Sequence, residues 1–443
     1  MDAMTRQPGE NSTAELVAAL SPAVLAPEPP ASCEAAGLPF EFLVDLMLKT
    51  FFKNGNLSLW ELGERLKLPV AVVSGVLDFL RSEALCEVTR ARQTVVDISY
   101  QLSSTGRERA ETVLQKSQYV GPAPVSLAAY TAQVASQRIA QMRVSRAALN
   151  AAFHDLVIDP HLRDDFGAAI NSTRAMLVYG PSGSGKTYIA EHLMHALSGQ
   201  VYIPEAILVD GEVIQIFDPL VHQPVETPSR THELDRWSGV DARWTLCKRP
   251  VVMCGGELTL SMLDLQFDTH SRFYVAPPQI KANNGLLIID DLGRQLVSPR
   301  DLMNRWIVPL DRRIDHFSLH TGMKFSLPFD VNVIFSSNLK PSELADEAFL
   351  RRLGYKIQVG EMEADDYRQI FVQACERTGV AFSEAAFRHL LLECHRPHAQ
   401  PLLACIPLDL IRMIRDRAAY LDKLPEMTGE ALNWAWQTYF ARE

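Results

Sequence analysis

The chain has 443 residues, a formal net charge of −10 and the mixed composition of a globular protein. This length exceeds what one hydrophobic core usually supports, so we expect two or three domains. The acidic balance excludes a general attraction to nucleic acid or anionic membranes, and no apolar run reaches the roughly 18 residues of a membrane helix. These features predict a cytoplasmic protein without membrane insertion.

The seven cysteines are scattered along the chain, at Cys33, Cys86, Cys247, Cys254, Cys375, Cys394 and Cys405. Their number is odd and no two form a Cys-x-x-Cys pair, which argues against a disulfide framework or a zinc site. We interpret them as small buried apolar side chains.

Residues 1–37 are rich in Ala, Pro, Ser and Glu, which predicts a disordered tail. The next segment, residues 38–118, has an alternation of helical and strand patterns. The predicted helices span 40–52, 58–66, 69–83 and 105–116, and the predicted strands span 85–89 and 94–102. Three helices followed by two strands predict a small winged-helix (α+β) domain.

Winged helices often bind DNA through the second helix of the helix-turn-helix. Here residues 38–116 carry ten acidic and ten basic side chains, and the candidate recognition helix holds only one charge, Asp78, between residues 69 and 80. Arg90 and Arg92 are the only basic pair placed to touch a phosphate backbone. The balance favours a protein partner or an autoinhibitory contact, and DNA stays the alternative.

Residues 119–151 predict a linker, with Gly-Pro-Ala-Pro at 121–124 and a helical stretch that runs to about His154. A short apolar strand, 175–179, comes next and leads into a glycine-rich loop and an amphipathic helix. The loop residues are Gly180, Pro181, Ser182, Gly183, Ser184, Gly185, Lys186 and Thr187. A strand, such a loop and a helix in this order predict a phosphate-binding loop whose backbone N–H groups cradle a nucleotide. We expect Lys186 to reach the β- and γ-phosphates of ATP and Thr187 to bind Mg²⁺.

A second apolar strand, 286–289, ends in two acids, Asp290 and Asp291. An acidic pair at the end of a buried strand completes such a nucleotide site. We expect Asp290 to hold Mg²⁺ and Asp291 to act as general base on the attacking water.

These motifs resemble the AAA+ ATPases over about residues 152–443. Gly180 to Thr187 is similar to Walker A and Leu286 to Asp291 to Walker B, and Asn338 is similar to the sensor-1 residue that orients the water and the γ-phosphate. The resemblance implies ATP hydrolysis. It departs at Asp291, where the family usually has Glu, and this shorter side chain predicts slow turnover.

The segment Ala348 to Leu353 resembles the arginine-finger region of the family. The resemblance implies that Arg352, with Arg351 as helper, reaches the γ-phosphate bound by a neighbouring subunit. A finger that acts in trans requires a homo-oligomer, either a ring of six subunits or a filament built by the same head-to-tail contact.

A helix around 302–311 and a hairpin over 315–327 precede Asn338. This order is similar to the MoxR-like and magnesium-chelatase-like branch. The resemblance implies an ATPase core over 152–360 and a helical lid over 361–443. Leu408 stands where the lid usually has its sensor-2 arginine, and Arg412 or Arg415 are the candidate substitutes.

The stretch from Val201 to Asn284 is an insertion between the loop helix and the acidic strand, where ring ATPases place substrate-contacting loops. Its aromatic residues Phe267, Phe273 and Tyr274 are interpreted in two ways, as the lining of a central pore or as packing onto the sheet.

The expected fold is therefore α/β: an AAA+ P-loop parallel sheet with a C-terminal helical lid, preceded by a winged helix. Three functions follow as hypotheses. The first is an ATP-driven remodelling motor that acts on a protein partner recruited by the winged helix. The second is a DNA-binding ATPase regulator, and the third is a weakly hydrolysing, nucleotide-gated scaffold or filament.

Overall fold

The computed structural model describes residues 25–90, 98–141, 143–197, 199–225 and 239–440. The first 24 residues of the predicted tail and Arg92 at the predicted wing tip lie outside the described residues. Arg90 is the last residue of a strand.

The α-helices in chain order are α1 (Phe40–Asn54), α2 (Leu59–Leu66), α3 (Val70–Ser82), α4 (Ser104–Lys116), α5 (Leu127–Ser136), α6 (Arg146–Ala152), α7 (Pro160–Asn171), α8 (Lys186–Ala196), α9 (Pro278–Lys281), α10 (Pro299–Arg305), α11 (Ile307–Arg312), α12 (Pro341–Leu344), α13 (Glu347–Leu350), α14 (Ala364–Thr378), α15 (Glu384–His389), α16 (Cys405–Tyr420) and α17 (Gly429–Tyr439). Leu390–His395 forms a π-helical turn. No helix in the described ranges has the length and apolar character of a membrane span.

The strands in chain order are β1 (Leu57–Ser58), β2 (Cys86–Arg90), β3 (Ser99–Leu102), β4 (Val125–Ser126), β5 (Met176–Tyr179), β6 (Gln200–Pro204), β7 (Ala206–Val209), β8 (Glu212–Gln215), β9 (Trp244–Lys248), β10 (Val251–Cys254), β11 (Gln266–Asp268), β12 (Phe273–Val275), β13 (Leu286–Ile289), β14 (Ile314–Ser318), β15 (Lys324–Pro328), β16 (Asn332–Ser337) and β17 (Tyr355–Gln358).

The chain divides into two compact units, and it passes between them several times. The first unit is formed by Met1–Arg143, Ser198–Leu287 and Asp301–Asn332. The second unit is formed by Val144–Leu197, Ile288–Arg300 and Val333–Glu443.

The N-terminal module, residues 38–118, lies in the first unit and has the predicted helices and the predicted strand at 85–89 within one or two residues. Of the predicted strand 94–102, the described part forms β3, and residues 94–97 lie outside the described residues; β1 was not predicted. Helices α1–α4 pack on a three-stranded antiparallel sheet of order β1-β3-β2. Helix α2 begins with a capping box, because the Ser58 hydroxyl accepts from the Glu61 N–H while the Glu61 carboxylate accepts from the Ser58 N–H. The apolar faces of these helices form one buried cluster.

That cluster extends beyond the module into the second sheet of the first unit, whose strand order is β11-β12-β8-β7-β4. Ala206, Leu208 and Val213 of this sheet are buried in the same cluster as the module helices. The Tyr119 and Phe273 rings meet edge to face at 5.6 Å, and the Gln118 N–H donates to the Ser271 carbonyl at 2.9 Å. The module and the sheet therefore share one core.

The start of the predicted linker takes part in this arrangement. Strand β4, Val125–Ser126, pairs in parallel with β7. Helix α5 follows directly, and its Tyr130 and Val134 are buried in the core beneath the sheet. Residues 125–136 are thus built into the first unit, whereas the sequence predicted a linker here.

Residues 25–37, which the sequence assigned to the tail, are held by a buried ion pair. Asp241 and Arg243 face each other at 2.8 Å and are almost completely buried. Arg243 Nη1 also donates to the Ala36 carbonyl at 3.0 Å and to the Pro124 carbonyl at 3.1 Å, and the Asp241 N–H donates to the Pro27 carbonyl. This part of the chain has a defined position, contrary to the prediction, because the Ala36 carbonyl accepts from the buried guanidinium and the Pro27 carbonyl accepts from the Asp241 N–H.

The insertion aromatics pack inside the first unit. Tyr274 is buried, its hydroxyl contacts His320, and the Phe267 ring lies 5.0 Å from the Tyr274 ring. The packing interpretation is therefore the one that the structure supports. The predicted hairpin is confirmed as the antiparallel pair β14–β15, and its buried Phe317 and Phe325 join the same core.

In the second unit, the end of β13 (from Ile288), β16 (from Val333), β5 and β17 are neighbours in this order in one sheet. Strands β16 and β17 both run parallel to β5, and Tyr179 is opposite Ser337 on one side and Gln358 on the other. These strands therefore end at the same edge. Helices α14–α17 follow and pack around their own apolar cluster. This unit has the predicted α/β parallel sheet with a helical C-terminal part.

Candidate functional site

The predicted functional residues follow the ends of neighbouring strands. Gly180 follows β5, Asp290 follows β13 and Asn338 follows β16. Because parallel strands end at one edge of a sheet, this arrangement gathers polar side chains there, as in other open α/β folds.

The glycine-rich loop is shaped by close contacts that exclude side chains. Gly180 has φ +155°, and a Cβ at this position would lie 2.0 Å from the Val359 carbonyl oxygen. Gly183 has φ +83°, and a Cβ there would lie 2.4 Å from Cys405 Sγ. Helix α8 begins at Lys186, so the last two residues of the glycine-rich segment form its first turn. The N–H groups of this turn face the loop.

Lys186 is buried and makes three hydrogen bonds. Its Nζ donates to the Gly180 carbonyl at 3.0 Å, to the Pro181 carbonyl at 2.8 Å and to Asn338 Oδ1 at 2.8 Å. Burial lowers the pKa of Lys186, while the nearby carboxylates of Asp290 and Asp291 act in the opposite direction.

The two acids are connected to the loop and to Asn338. Thr187 Oγ1 donates to Asp290 Oδ2 at 2.8 Å, and Asn338 Nδ2 donates to Asp291 Oδ1 at 3.1 Å. Asn338 therefore bridges Lys186 and Asp291. The structure brings together the predicted polar residues of the loop, the acidic pair and Asn338.

Thr187 and Asp290 offer a hydroxyl and a carboxylate oxygen side by side, which is the oxygen chemistry that Mg²⁺ prefers. Mg²⁺ usually takes only one or two carboxylates and completes its shell with water and phosphate oxygens. Within the described part of the chain no group of three or more His, Cys, Asp or Glu could hold a metal ion. This pair fits Mg²⁺ held jointly with a phosphate.

Ser184 supplies an additional polar atom in the loop. Its side chain is only 5% exposed, and its Oγ has no hydrogen-bond partner among the described residues. Buried hydroxyl groups without a partner are uncommon in folded proteins. The loop therefore presents a donor that a bound anion would satisfy.

A cavity of about 710 Å³ opens above these residues, entirely within the second unit. Ser182, Gly183, Ser184, Gly185, Lys186, Thr187, Asp290, Asp291 and Asn338 line one part of it. The segment Asp155–Leu162 and one face of α14 line another part, which is largely apolar through side chains such as Val157, Ile158 and Ile370. A polar floor joined to an apolar wall suits a ligand with phosphates and a planar ring.

The sequence interpretation did not include Asp155–Leu162 or α14 in the site. The spacing of Asp366, Ile370, Gln373 and Arg377 places these residues on one helix face. That signal identifies the face but not the cavity that it lines.

The candidate finger residues lie apart from this cavity. Arg351 and Arg352 are not among its lining residues. Arg351 forms an exposed ion pair with Glu347 at 3.0 Å, and Arg352 Nη1 donates to the Ala348 carbonyl at 2.8 Å. Their predicted role in a neighbouring subunit stays a prediction.

Among the candidate lid residues, Leu408 lines the cavity, but Arg412 and Arg415 do not. Arg415 pairs with Asp416 at 2.9 Å. Arg377, which the sequence interpretation missed, lines the cavity from α14. The helical part thus contributes an arginine from its first helix.

Gly183→Ala is expected to weaken binding of a fluorescent ADP analogue about tenfold, since left-handed strain and a clash of this size cost about 1–3 kcal/mol. The new Cβ must displace Cys405, whose N–H donates to the Gly183 carbonyl at 3.1 Å. Gly360→Ala is the matched control, because Gly360 lines the same cavity and a Cβ there meets nothing within 4 Å. Equal affinities of the two variants in a fluorescence titration would contradict this prediction.

Comparison with known proteins gives one family match, which covers residues 363–438 and is described as "Domain of unknown function (DUF8689)". No curated protein matches the sequence. Among solved structures, NtrX from Brucella abortus shows 13% identity and a TM-score of 0.39 over 76% of this chain and 62% of its own. The present chain thus spans less than two thirds of that NtrX chain.

RuvB from Thermotoga maritima, described as a Holliday junction branch migration motor, shows 12% identity and a TM-score of 0.37 over 66% of this chain and 73% of its own. A MarR family regulator from Neisseria meningitidis shows 27% identity and a TM-score of 0.15 over 16% of this chain and 49% of its own. The family match falls on helices α14–α17, the C-terminal helical part of the second unit.

Proposed function

We propose that this protein is an AAA+ ATPase that binds ATP with Mg²⁺ and hydrolyses the β–γ phosphoanhydride. The observation that supports this most directly is the hydrogen-bonded chain from Lys186 through Asn338 to Asp291. It lies beside the Thr187–Asp290 pair on the floor of the cavity. A cation, an amide and carboxylates are side chains that phosphoryl transfer to water uses to hold the phosphates, to orient the water and to accept its proton.

In this proposal the loop N–H groups and Lys186 hold the β- and γ-phosphates. Asp291 accepts a proton from a water molecule while the oxygen of that water attacks the γ-phosphorus. The bond between the γ-phosphorus and the β–γ bridging oxygen then breaks, which releases ADP and phosphate. Asn338, which already contacts Asp291, orients the water. Thr187 and Asp290 would hold Mg²⁺, which would supply positive charge to neutralise the phosphate oxygens.

The position of Arg351 and Arg352 motivates the oligomeric part of the proposal. Neither residue lines the cavity of its own chain, so in this proposal each would act on a nucleotide bound by a neighbouring copy. A guanidinium from a neighbouring copy would stabilise the charge that develops on the γ-phosphate. We therefore propose a homo-oligomer, which is a ring if the contact closes and a filament if it does not.

For the N-terminal module we favour contact with a protein partner over DNA. The exposed face of α3 carries Ala71, Gly75 and Asp78, and the exposed Arg81 pairs with Asp78 at 3.5 Å. Cys33 Sγ donates to the Val72 carbonyl at 3.7 Å and lies 4.0 Å from where a Gly75 Cβ would stand, so the preceding segment already touches this helix. A helix that reads the major groove needs free, cationic or polar side chains, and this surface offers few.

Phosphate release and light-scattering mass, each with and without ATP, test the proposed function on the wild type and on Arg352→Ala. ATP-dependent assembly with turnover that Arg352→Ala reduces at least about tenfold would support an oligomeric ATPase. Assembly without turnover would favour the nucleotide-gated scaffold instead. Salt-dependent binding of duplex DNA would favour the regulator.

A further inference from the structure

The turn that follows the acidic pair has an unusual backbone. Asp291 has φ +49° and Gly293 has φ +106°. A non-glycine residue in the left-handed region is strained, and this conformation persists only where its surroundings hold it. The backbone of the proposed general base is therefore fixed by neighbouring groups.

Gln295 is the side chain that bridges this turn. Its Oε1 accepts from the Gly293 N–H at 2.9 Å, and its Nε2 donates to the Asp290 carbonyl at 3.0 Å. The side chain is 8% exposed, so both bonds are shielded from water. One amide thus ties together the main chain before and after Asp291.

The same turn is attached to the strand that carries Asn338. The Leu292 N–H donates to the Ser336 carbonyl at 2.8 Å, and Ser337 Oγ donates to the Leu292 carbonyl at 2.6 Å. Gly293 is pressed against Leu339, because a Cβ at Gly293 would lie 2.7 Å from Leu339 Cδ1. Together with Gln295, these contacts set the position of Asp291 relative to Asn338.

We propose that Gln295 is a positioning residue that holds the carboxylates of Asp290 and Asp291 in their working geometry. The inference rests on the proposed function and extends it to a residue that does not line the cavity. A single methylene separates the carboxylate of an aspartate from its main chain, so its position follows the backbone more closely than that of a glutamate. The backbone clamp therefore matters more here than it would with a longer acid.

Gln295→Met tests this proposal. Methionine keeps about the length and volume of the side chain but cannot form the two hydrogen bonds of the Gln295 amide. We expect kcat for ATP to fall at least about tenfold, since a misplacement of about 1 Å in a reacting group can cost about 100-fold. KM and the affinity for a fluorescent ADP analogue should change less than about threefold, because Gln295 does not touch the ligand.

The matched control is Gln279→Met in the first unit. Gln279 is also buried, and its Nε2 donates to the Leu263 carbonyl at 2.6 Å and to Asp315 Oδ2 at 3.1 Å. This substitution removes comparable buried bonds and should lower stability while kcat stays within about twofold of the wild type. If Gln279→Met loses stability but keeps its kcat, a fall in kcat in Gln295→Met cannot be attributed to a general loss of stability.

The outcomes separate the inference from the proposed function. If the wild type hydrolyses ATP and Gln295→Met has the same kcat, the inference is wrong while the function stands. If the wild type neither binds nor hydrolyses nucleotide, the proposed function fails. Amide hydrogen exchange over residues 286–300 in the protein alone then decides whether the clamp exists: faster exchange in Gln295→Met than in Gln279→Met supports it, and equal exchange overturns it.

Discussion

Lys186→Ala is expected to weaken the binding of a fluorescent ATP analogue by about 100-fold, since hydrogen bonds to charged groups contribute about 1.5–3 kcal/mol each. Lys186 and Arg377 are the cationic side chains that line the cavity within the described residues. Arg377 lies about 20 Å along α14 from the start of that helix, which follows the strand next to the loop. Lys186 is therefore the cation at the phosphate end.

Loss of Lys186 has a second effect on anion binding. Asp290 and Asp291 then face the phosphates without the ammonium group that opposes their charge. The control is Lys423→Ala, an exposed lysine of the same unit, which should bind the analogue like the wild type. A change below about threefold in Lys186→Ala would argue against a nucleotide at this loop, because one charged hydrogen bond alone exceeds that effect.

Asp291→Asn is expected to lower kcat about 100-fold or more, within the range for removal of a general base, while nucleotide affinity changes less than about threefold. Asparagine keeps the shape of the side chain and an oxygen for the Asn338 contact, but it cannot take a proton from water. Steady-state phosphate release and a binding titration on the same preparation measure both quantities.

The control for this experiment is Asp416→Asn, because Asp416 is exposed, does not line the cavity and pairs with its neighbour Arg415. It should hydrolyse ATP at the wild-type rate. If Asp291→Asn kept more than about a tenth of the wild-type kcat, Asp291 would not be the base, since proton transfer to a positioned base contributes at least that much.

The loop and the acids could be predicted from the sequence because their chemistry requires a fixed local string. Glycines, a lysine and a hydroxyl residue at set spacing between a strand and a helix leave few alternatives. The acidic pair was identified because it ends an apolar strand. The structure places Lys186, Asn338 and Asp291 in contact, as that interpretation requires.

Other parts of the site depend on tertiary contacts that leave no local signature. The segment Asp155–Leu162 reads as an ordinary polar and apolar mixture, and only the folded chain brings it to the cavity. Gln295 is a single glutamine in a loop, and its importance arises from two main-chain groups that face it. Side chains that act through the backbone are difficult to predict because many residue types can occupy a loop.

The same limit applies to the first unit. The helices and strands of the N-terminal module were predicted because apolar spacing is a local property. Its packing was not, because Ala206, Leu208 and Val213 look like the inner face of any strand. The hydrogen bond from Arg243 to the Ala36 carbonyl could not be predicted either, because 207 positions of the sequence separate the two residues.

The core shared by the N-terminal module and the second sheet of the first unit bears on how the role of the module can be studied. Deleting residues up to 118 would expose Leu208, Val213 and the Phe273 ring to water, where they would promote aggregation. If the truncated chain lost activity, the cause would be the damaged core of the first unit and not the absence of a partner-binding surface on the module. Genetic dissection of this protein should therefore use surface substitutions that leave the full-length polypeptide intact.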